Sequence, residues 1–283
     1  KDLKGWKSHN EVWNIETNGT WQIQSQNGMR AVRAPELHYI NNTFWITYSM
    51  NDGGTGLLKS QSGSVEGPYR DVKSDGPITQ GSDASLFQDD DGSVYFVYQN
   101  GMIARMHDDM SGLAQAPHLL KPANAEQVGA RGAFLTKVGG RYCLMAADSM
   151  ETDKGESRAC CMVAFSDTLP GPYGDRSVAI PHSGQSTLFQ DNDGNWWSTF
   201  SGDDDQATFR DRPGIVPVAI GKDGTLTPQK QTTLHTRPLV IDQTILPVAT
   251  EKPGLWRYTF TQPQDDWFKT DFNDTHWMEG EGG

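Results

Sequence analysis

Eight polar residues stand just ahead of strand-like stretches in this 283-residue sequence: Arg33, Glu36, His38, Asp83, Arg131, His182, Gln185 and Arg212. Glu36 and Asp83 are carboxylates, and His38 and His182 are imidazoles. Such groups hold, move or tune protons. Each arginine carries a planar guanidinium that grips a carboxylate or sulfate through two parallel hydrogen bonds. Gln185 both donates and accepts. Asp83 has a second reading, because an aspartate before a hairpin also caps it through an Asx-turn. Arg212 has one too, as half of an ion pair between neighbouring sheets. The acidic runs Asp89–Asp91 and Asp203–Asp205 could be taken for cation sites, but they read as turn tips facing water. Trp196 and Trp197 are neighbours, so a strand sends them to opposite faces and at most one can face a pocket.

These residues need a scaffold, and the sequence supplies a repeating one. Four segments share an apolar strand, a Gly/Asn/Asp turn and an aromatic-rich strand: His38–Ser49, Leu86–Tyr98, Phe134–Ala146 and Leu188–Phe200. Each predicts a β-hairpin. Trp45, Tyr95, Tyr142 and Trp197 fall at matching places after the turn, roughly every 50 residues. Ser62–Tyr69 (SGSVEGPY) and Ser166–Tyr173 (SDTLPGPY) repeat at about twice that interval. A period of this length without helical periodicity predicts propeller blades. A β-sandwich of unrelated hairpins is the alternative, but it does not require the self-match. Lys1–Trp6 (KDLKGW) reads as the tail of a further unit. The expectation is therefore an all-β, five-bladed propeller over residues 1–235, with most of the first blade ahead of Lys1. Its pocket would lie on the axis, where the polar residues ahead of each hairpin converge. Beyond that, residues 236–283 read as a linker and a tail. Gly254–Gly283, with Trp256, Trp267 and Trp277 amid acidic turns, resembles the opening of a galactose-binding-like β-sandwich.

Composition narrows the function. Thirty Gly and 15 Pro fit many turns, and nine Trp set the chain apart from disordered sequences. The formal charge of −12 argues against nucleic acid and anionic membranes as partners, since both need a basic face. No run of 18 apolar residues predicts a membrane helix. Cys143, Cys160 and Cys161 form neither an even disulfide set nor a CxxC metal site, and read as buried strand residues.

The ordered motifs resemble glycoside hydrolase family 43. Ala34-Pro35-Glu36 is similar to the family's Ala-Pro-acidic motif opening its second blade. Asp83-Ala84-Ser85-Leu86-Phe87 resembles its Asp-x-Ser-Leu-Phe before an Asp-rich hairpin. The GPY segments, the Asp-Gly-Asn-Trp-Trp hairpin and Arg212 match as well, so the resemblance covers roughly residues 1–230. It implies an inverting O-glycosyl hydrolase in which one carboxylate activates water and another protonates the leaving oxygen. Asp83 looks like the third carboxylate, which tunes the acid. The base would belong to the first blade, ahead of Lys1. The acid would precede Gly132, where this chain has Arg131, which cannot donate a proton at useful pH. Glu126 could substitute only through a rebuilt loop. Arg33 stands where the family has an aromatic. Gln185 stands where it has a histidine that helps hold a central ion. The resemblance requires no cofactor, and it leaves a central calcium as an option. It implies an oligo- or polysaccharide partner of plant or algal origin, a monomer, and a secreted or periplasmic location in a bacterium. The alternatives are a non-catalytic carbohydrate-binding propeller, with Arg33 and Arg131 suited to anionic glycans, and a purely structural propeller.

Overall fold

The computed structural model describes residues 10–24, 31–51, 53–151, 155–202, 204, 207, 213–221, 224–229, 254–263, 267 and 272–282. Lys1–Trp6, Asp203, Asp205 and Arg212 lie outside the described residues. The chain divides into two units, Lys1–Gln231 and Thr232–Gly283.

The first unit is an all-β propeller. Among the described residues it has four blades, each an antiparallel four-stranded meander. Blade I is β1 (Val32–Ile40), β2 (Thr43–Met50), β3 (Thr55–Ser60) and β4 (Tyr69–Asp71). Blade II is β5 (Ser85–Gln88), β6 (Val94–Tyr98), β7 (Met102–Arg105) and β8 (His118–Leu119). Blade III is β9 (Arg131–Val138), β10 (Arg141–Glu151), β11 (Ser157–Ser166) and β12 (Ser177–Pro181). Blade IV is β13 (Leu188–Gln190), β14 (Trp196–Ser201), β15 (Pro213–Ile220) and β16 (Leu226–Pro228). The four predicted hairpins are the first two strands of these blades.

Turn chemistry sets the hairpins. Asn41-Asn42 and Gly139-Gly140 form two-residue loops with every φ positive, the backbone that follows strand twist. The loops opened by Asp89 and Asp191 share one wider turn. In each, the aspartate N–H donates to the residue four on, and a positive-φ glycine donates back to the aspartate carbonyl. The GPY segments are also alike: Tyr69 and Tyr173 are buried and donate their hydroxyls to Val65 and Leu169 carbonyls at 3.0 and 3.1 Å.

Blades stack face to face, so inner strands bury both faces and read as unbroken apolar runs. On β6, Val94, Phe96 and Tyr98 pack toward blade I with Ile40, Trp45 and Leu57. The alternate Val97 packs toward blade III with Leu135 and Leu144. On β10, Cys143 and Met145 turn to blade IV, where Leu188, Phe200 and Val218 meet them. All three cysteines are buried and free. A short helix, α1 (Ile15–Asn18), and a 3₁₀ turn (Trp21–Gln24) accompany blade I, and Trp13, Ile15 and Trp21 pack against Tyr48 and Met50. In the second unit, β17 (Gly254–Tyr258) pairs antiparallel with β18 (Met278–Gly282).

One expected turn tip does not simply face water. Asp89 has a side chain only 14% exposed and is held by Lys137 of the next blade at 2.6 Å. Tyr142 donates to it at 2.8 Å, and Lys137 also reaches Asp90 at 2.5 Å. Asp89, Asp90, Lys137 and Tyr142 form a latch between blades II and III, because stacking brings a cation over the hairpin.

Candidate functional site

The innermost strands β1 and β9 are bulged at one end, the backbone leading into β5 and β13 carries the same extra residue, and these four bulges build the site. In blade I, Arg33 faces Ser49 and Glu36 faces Thr47, so three residues span what two span opposite. Blade III repeats this, with Arg131 opposite Ala147 and Phe134 opposite Met145. In blade II the span runs from Ser85, opposite Val97, to the Ser82 carbonyl, which accepts from Gln99 N–H. In blade IV it runs from Thr187, bonded to Thr199, to Gly184, bonded to Ser201. Ala34, Asp83 and Gly132 sit at the same point of their bulges, with φ of 46, 52 and 65°. A bulge breaks the alternation of the strand and re-aims the side chains beside it.

Those side chains surround one cavity of about 550 Å³. Blade I contributes Arg33 and Ala34, blade II Ser82 and Asp83, blade III Arg131, and blade IV Gly184 and Gln185. Ser49, Asn51 and Ser201 complete the polar wall. Four of the eight sequence candidates therefore meet here: Arg33, Asp83, Arg131 and Gln185. Asp83 is fixed by blade I. Its backbone N–H donates to the Ser49 hydroxyl at 2.7 Å, and Thr47 donates to the Ala84 carbonyl at 2.6 Å. Ser82 adds a bond to the Asp83 carboxylate at 3.2 Å. Gln185 lies over Gly132, where an added Cβ would stand 2.6 Å from its Cγ.

Glu36 and His38 do not line the cavity. Residues two apart on β1 share a face, and this face turns into the seam with β5. The Glu36 and His38 side chains are 17% and 9% exposed. Ser85 donates to Glu36 Oε1 at 3.1 Å, and Leu86 N–H donates to His38 Nε2 at 3.3 Å. Burial pushes Glu36 up to about 8, only partly offset by the Ser85 hydrogen bond. Burial pushes His38 down to about 4. Both are therefore neutral near pH 7.

His182 is also away from this cavity. It pairs through Nδ1 with Asp204 at 2.8 Å. Asp204 and Asp148 line a second cavity of about 300 Å³, which shares Arg131 with the first. Asp148 is engaged by Arg176 at 2.5 Å. Glu126 stands 92% exposed and paired with Lys121 at 2.5 Å, outside the lining of the cavity. Neither tryptophan of the last hairpin lines the cavity: Trp196 packs into the seam with blade III, and Trp197 donates its indole N–H to Asp191 at 2.9 Å.

Ser49 and Ser201 escaped sequence reasoning, although each lies four residues after a matched aromatic. Ser82 and Gly184 became visible only through the bulges. Among the described residues no group of three or more His, Cys, Asp or Glu is placed to hold a metal ion. Among the described residues the cavity wall sets two guanidiniums, Arg33 and Arg131, against one carboxylate, Asp83.

The chain resembles known proteins at two levels. A curated relative, the β-D-galactofuranosidase xynD of Aspergillus niger, is 32% identical over 129 residues, covering 40% of this chain and 37% of that protein. A second, from Escherichia coli, is 24% identical over 235 residues, covering 71% of this chain and 41% of that protein. The chain thus spans about two fifths of the length of these relatives. In fold it is similar to an exo-1,5-α-L-arabinanase from a bovine ruminal metagenomic library, with a TM-score of 0.65 at 17% identity, covering 81% of this chain and 87% of that one. The family model for glycosyl hydrolases family 43 matches residues 1–226, which hold all four blade hairpins and every described residue of the cavity wall, and the chain belongs to that family.

Proposed function

We propose that the cavity is a glycan site, and that the protein acts on or binds plant or algal polysaccharide, with inversion if it hydrolyses. The convergence of four bulges on one polar cavity carries this reading. A volume of about 550 Å³ suits a sugar-sized ligand. In this reading Asp83 is the carboxylate that tunes an acid, held in place by Ser49 and Ser82. The ring closes with a fifth blade beside β1, where Leu37 and Tyr39 are 51% and 60% exposed. Polymeric substrate places the work outside the cytoplasm, in a monomer that needs no cofactor.

Arg131 favours a second reading within the same family, a propeller that binds its glycan without cleaving it. The residue stands at the position of the general acid, and an arginine keeps its proton at any useful pH. General-acid catalysis contributes on the order of 10²–10⁴-fold, so its loss leaves little turnover. The test is an assay of the full-length protein and its Arg131→Glu variant on aryl arabinofuranosides and aryl xylosides. Turnover gained only by the variant supports a substituted acid. Robust turnover by the parent overturns the binding-only reading and retains the hydrolase.

A further inference from the structure

We infer that the cavity selects an acidic sugar, gripping a carboxylate or sulfate ester on the glycan with Arg33 and Arg131. This rests on the reading of the cavity as a glycan site and names the class of glycan. Both arginines occupy the residue immediately before the bulge, in alternate blades, so the fold aims both at the cavity. The same position holds Ser82 in blade II and Gly184 in blade IV, which leaves space between them. The chain as a whole is acidic, with 36 Asp and Glu against 24 Lys and Arg. Among the described residues the cavity wall reverses that balance, with Asp83 as its one carboxylate against Arg33 and Arg131. Among the described residues the wall also has no aromatic side chain, the surface on which a neutral sugar ring would stack.

Arg131 also borders the second cavity, where Asp148 pairs with Arg176 and Asp204 with His182. A guanidinium has five N–H donors. That fork lets one guanidinium hold a protein partner and a ligand at the same time. The acidic exterior repels an anionic glycan at long range, so recognition must come from short two-pronged bonds rather than from steering.

Titration calorimetry on the full-length protein decides the matter. The probes are a neutral xylo-oligosaccharide, the same oligosaccharide bearing a glucuronate, a sulfated one of equal length, free glucuronate and inorganic sulfate. At least one acidic oligosaccharide should bind tenfold or more tightly than the neutral one at low salt, the scale set by hydrogen bonds to a charged group. The preference should shrink as salt screens it. Arg33→Gln and Arg131→Gln should each lower it about tenfold. Arg33→Lys and Arg131→Lys, which keep the charge but lose the fork, should fall between, with circular dichroism showing all four folded. The glucuronate and sulfate arms tell the two acidic groups apart. Equal binding of acidic and neutral sugars overturns the inference and leaves the glycan reading standing. Binding of no oligosaccharide overturns both. Free glucuronate or sulfate binding as tightly as the oligosaccharides reduces the cavity to a simple anion site and overturns the glycan part. An undiminished preference in the arginine variants removes their role.

Discussion

Glu36 and His38 pull the folding free energy in opposite directions with pH. From about pH 4.5 to about 8 native Glu36 keeps a proton that the unfolded chain has lost, so its contribution falls as pH rises. From about pH 4 to 6.5 the unfolded chain holds a proton that native His38 refuses, so its contribution rises with pH. The two oppose each other up to pH 6.5, and above it only Glu36 acts. Glu36→Gln keeps the shape and removes the titration. Between pH 6.5 and 8 the parent should lose stability relative to this variant, at most about 1.4 kcal/mol per pH unit. Urea denaturation of both at several pH values checks it, and parallel curves would show that Glu36 does not titrate in this window. Residue types alone put Glu36 and His38 beside the cavity residues. Their place in a seam follows from strand alternation after the bulge, which the sequence did not announce.

At the scale of elements, the bulge is the working part. Without it the strand would hold its alternation, and the neighbours Arg33 and Ala34 could not both face the cavity. Gly132 shows how tightly one bulge is built, with φ of 65° and Gln185 lying against it. Gly132→Ala should cost about 1–2 kcal/mol in backbone strain alone. It should also displace Gln185 and weaken glycan binding. Chemical denaturation and calorimetry on the same variant read both effects. Ala34 carries a similar φ in blade I, so the clash with Gln185 makes the larger difference. The hairpins were legible because turn residues and paired aromatics are local signals. The bulges were not, because an extra residue is defined only by counting against a partner strand.

Across the whole molecule, blades hold one another through apolar seams and a few polar latches. Lys137 is the clearest latch, bound to Asp89 and Asp90 and lying 4.6 Å above the Tyr142 ring. Lys137→Met should destabilise the propeller by about 1 kcal/mol, a modest figure because the ammonium is partly exposed. A fall in thermal midpoint that diminishes at high salt would confirm it, whereas an unchanged midpoint would make the latch decorative. The amino-acid sequence by itself determined the all-β propeller, the four hairpins, the buried cysteines and the family, since period, turn chemistry and motif order all lie along the chain. Only the tertiary structure decided which polar residues meet. It joined Arg33, Asp83, Arg131 and Gln185 across four blades, and it turned Glu36, His38 and His182 aside. The physical reason is that a pocket on a propeller axis is assembled from residues about 50 positions apart. Their aim depends on strand register and bulges, which pairing between strands fixes.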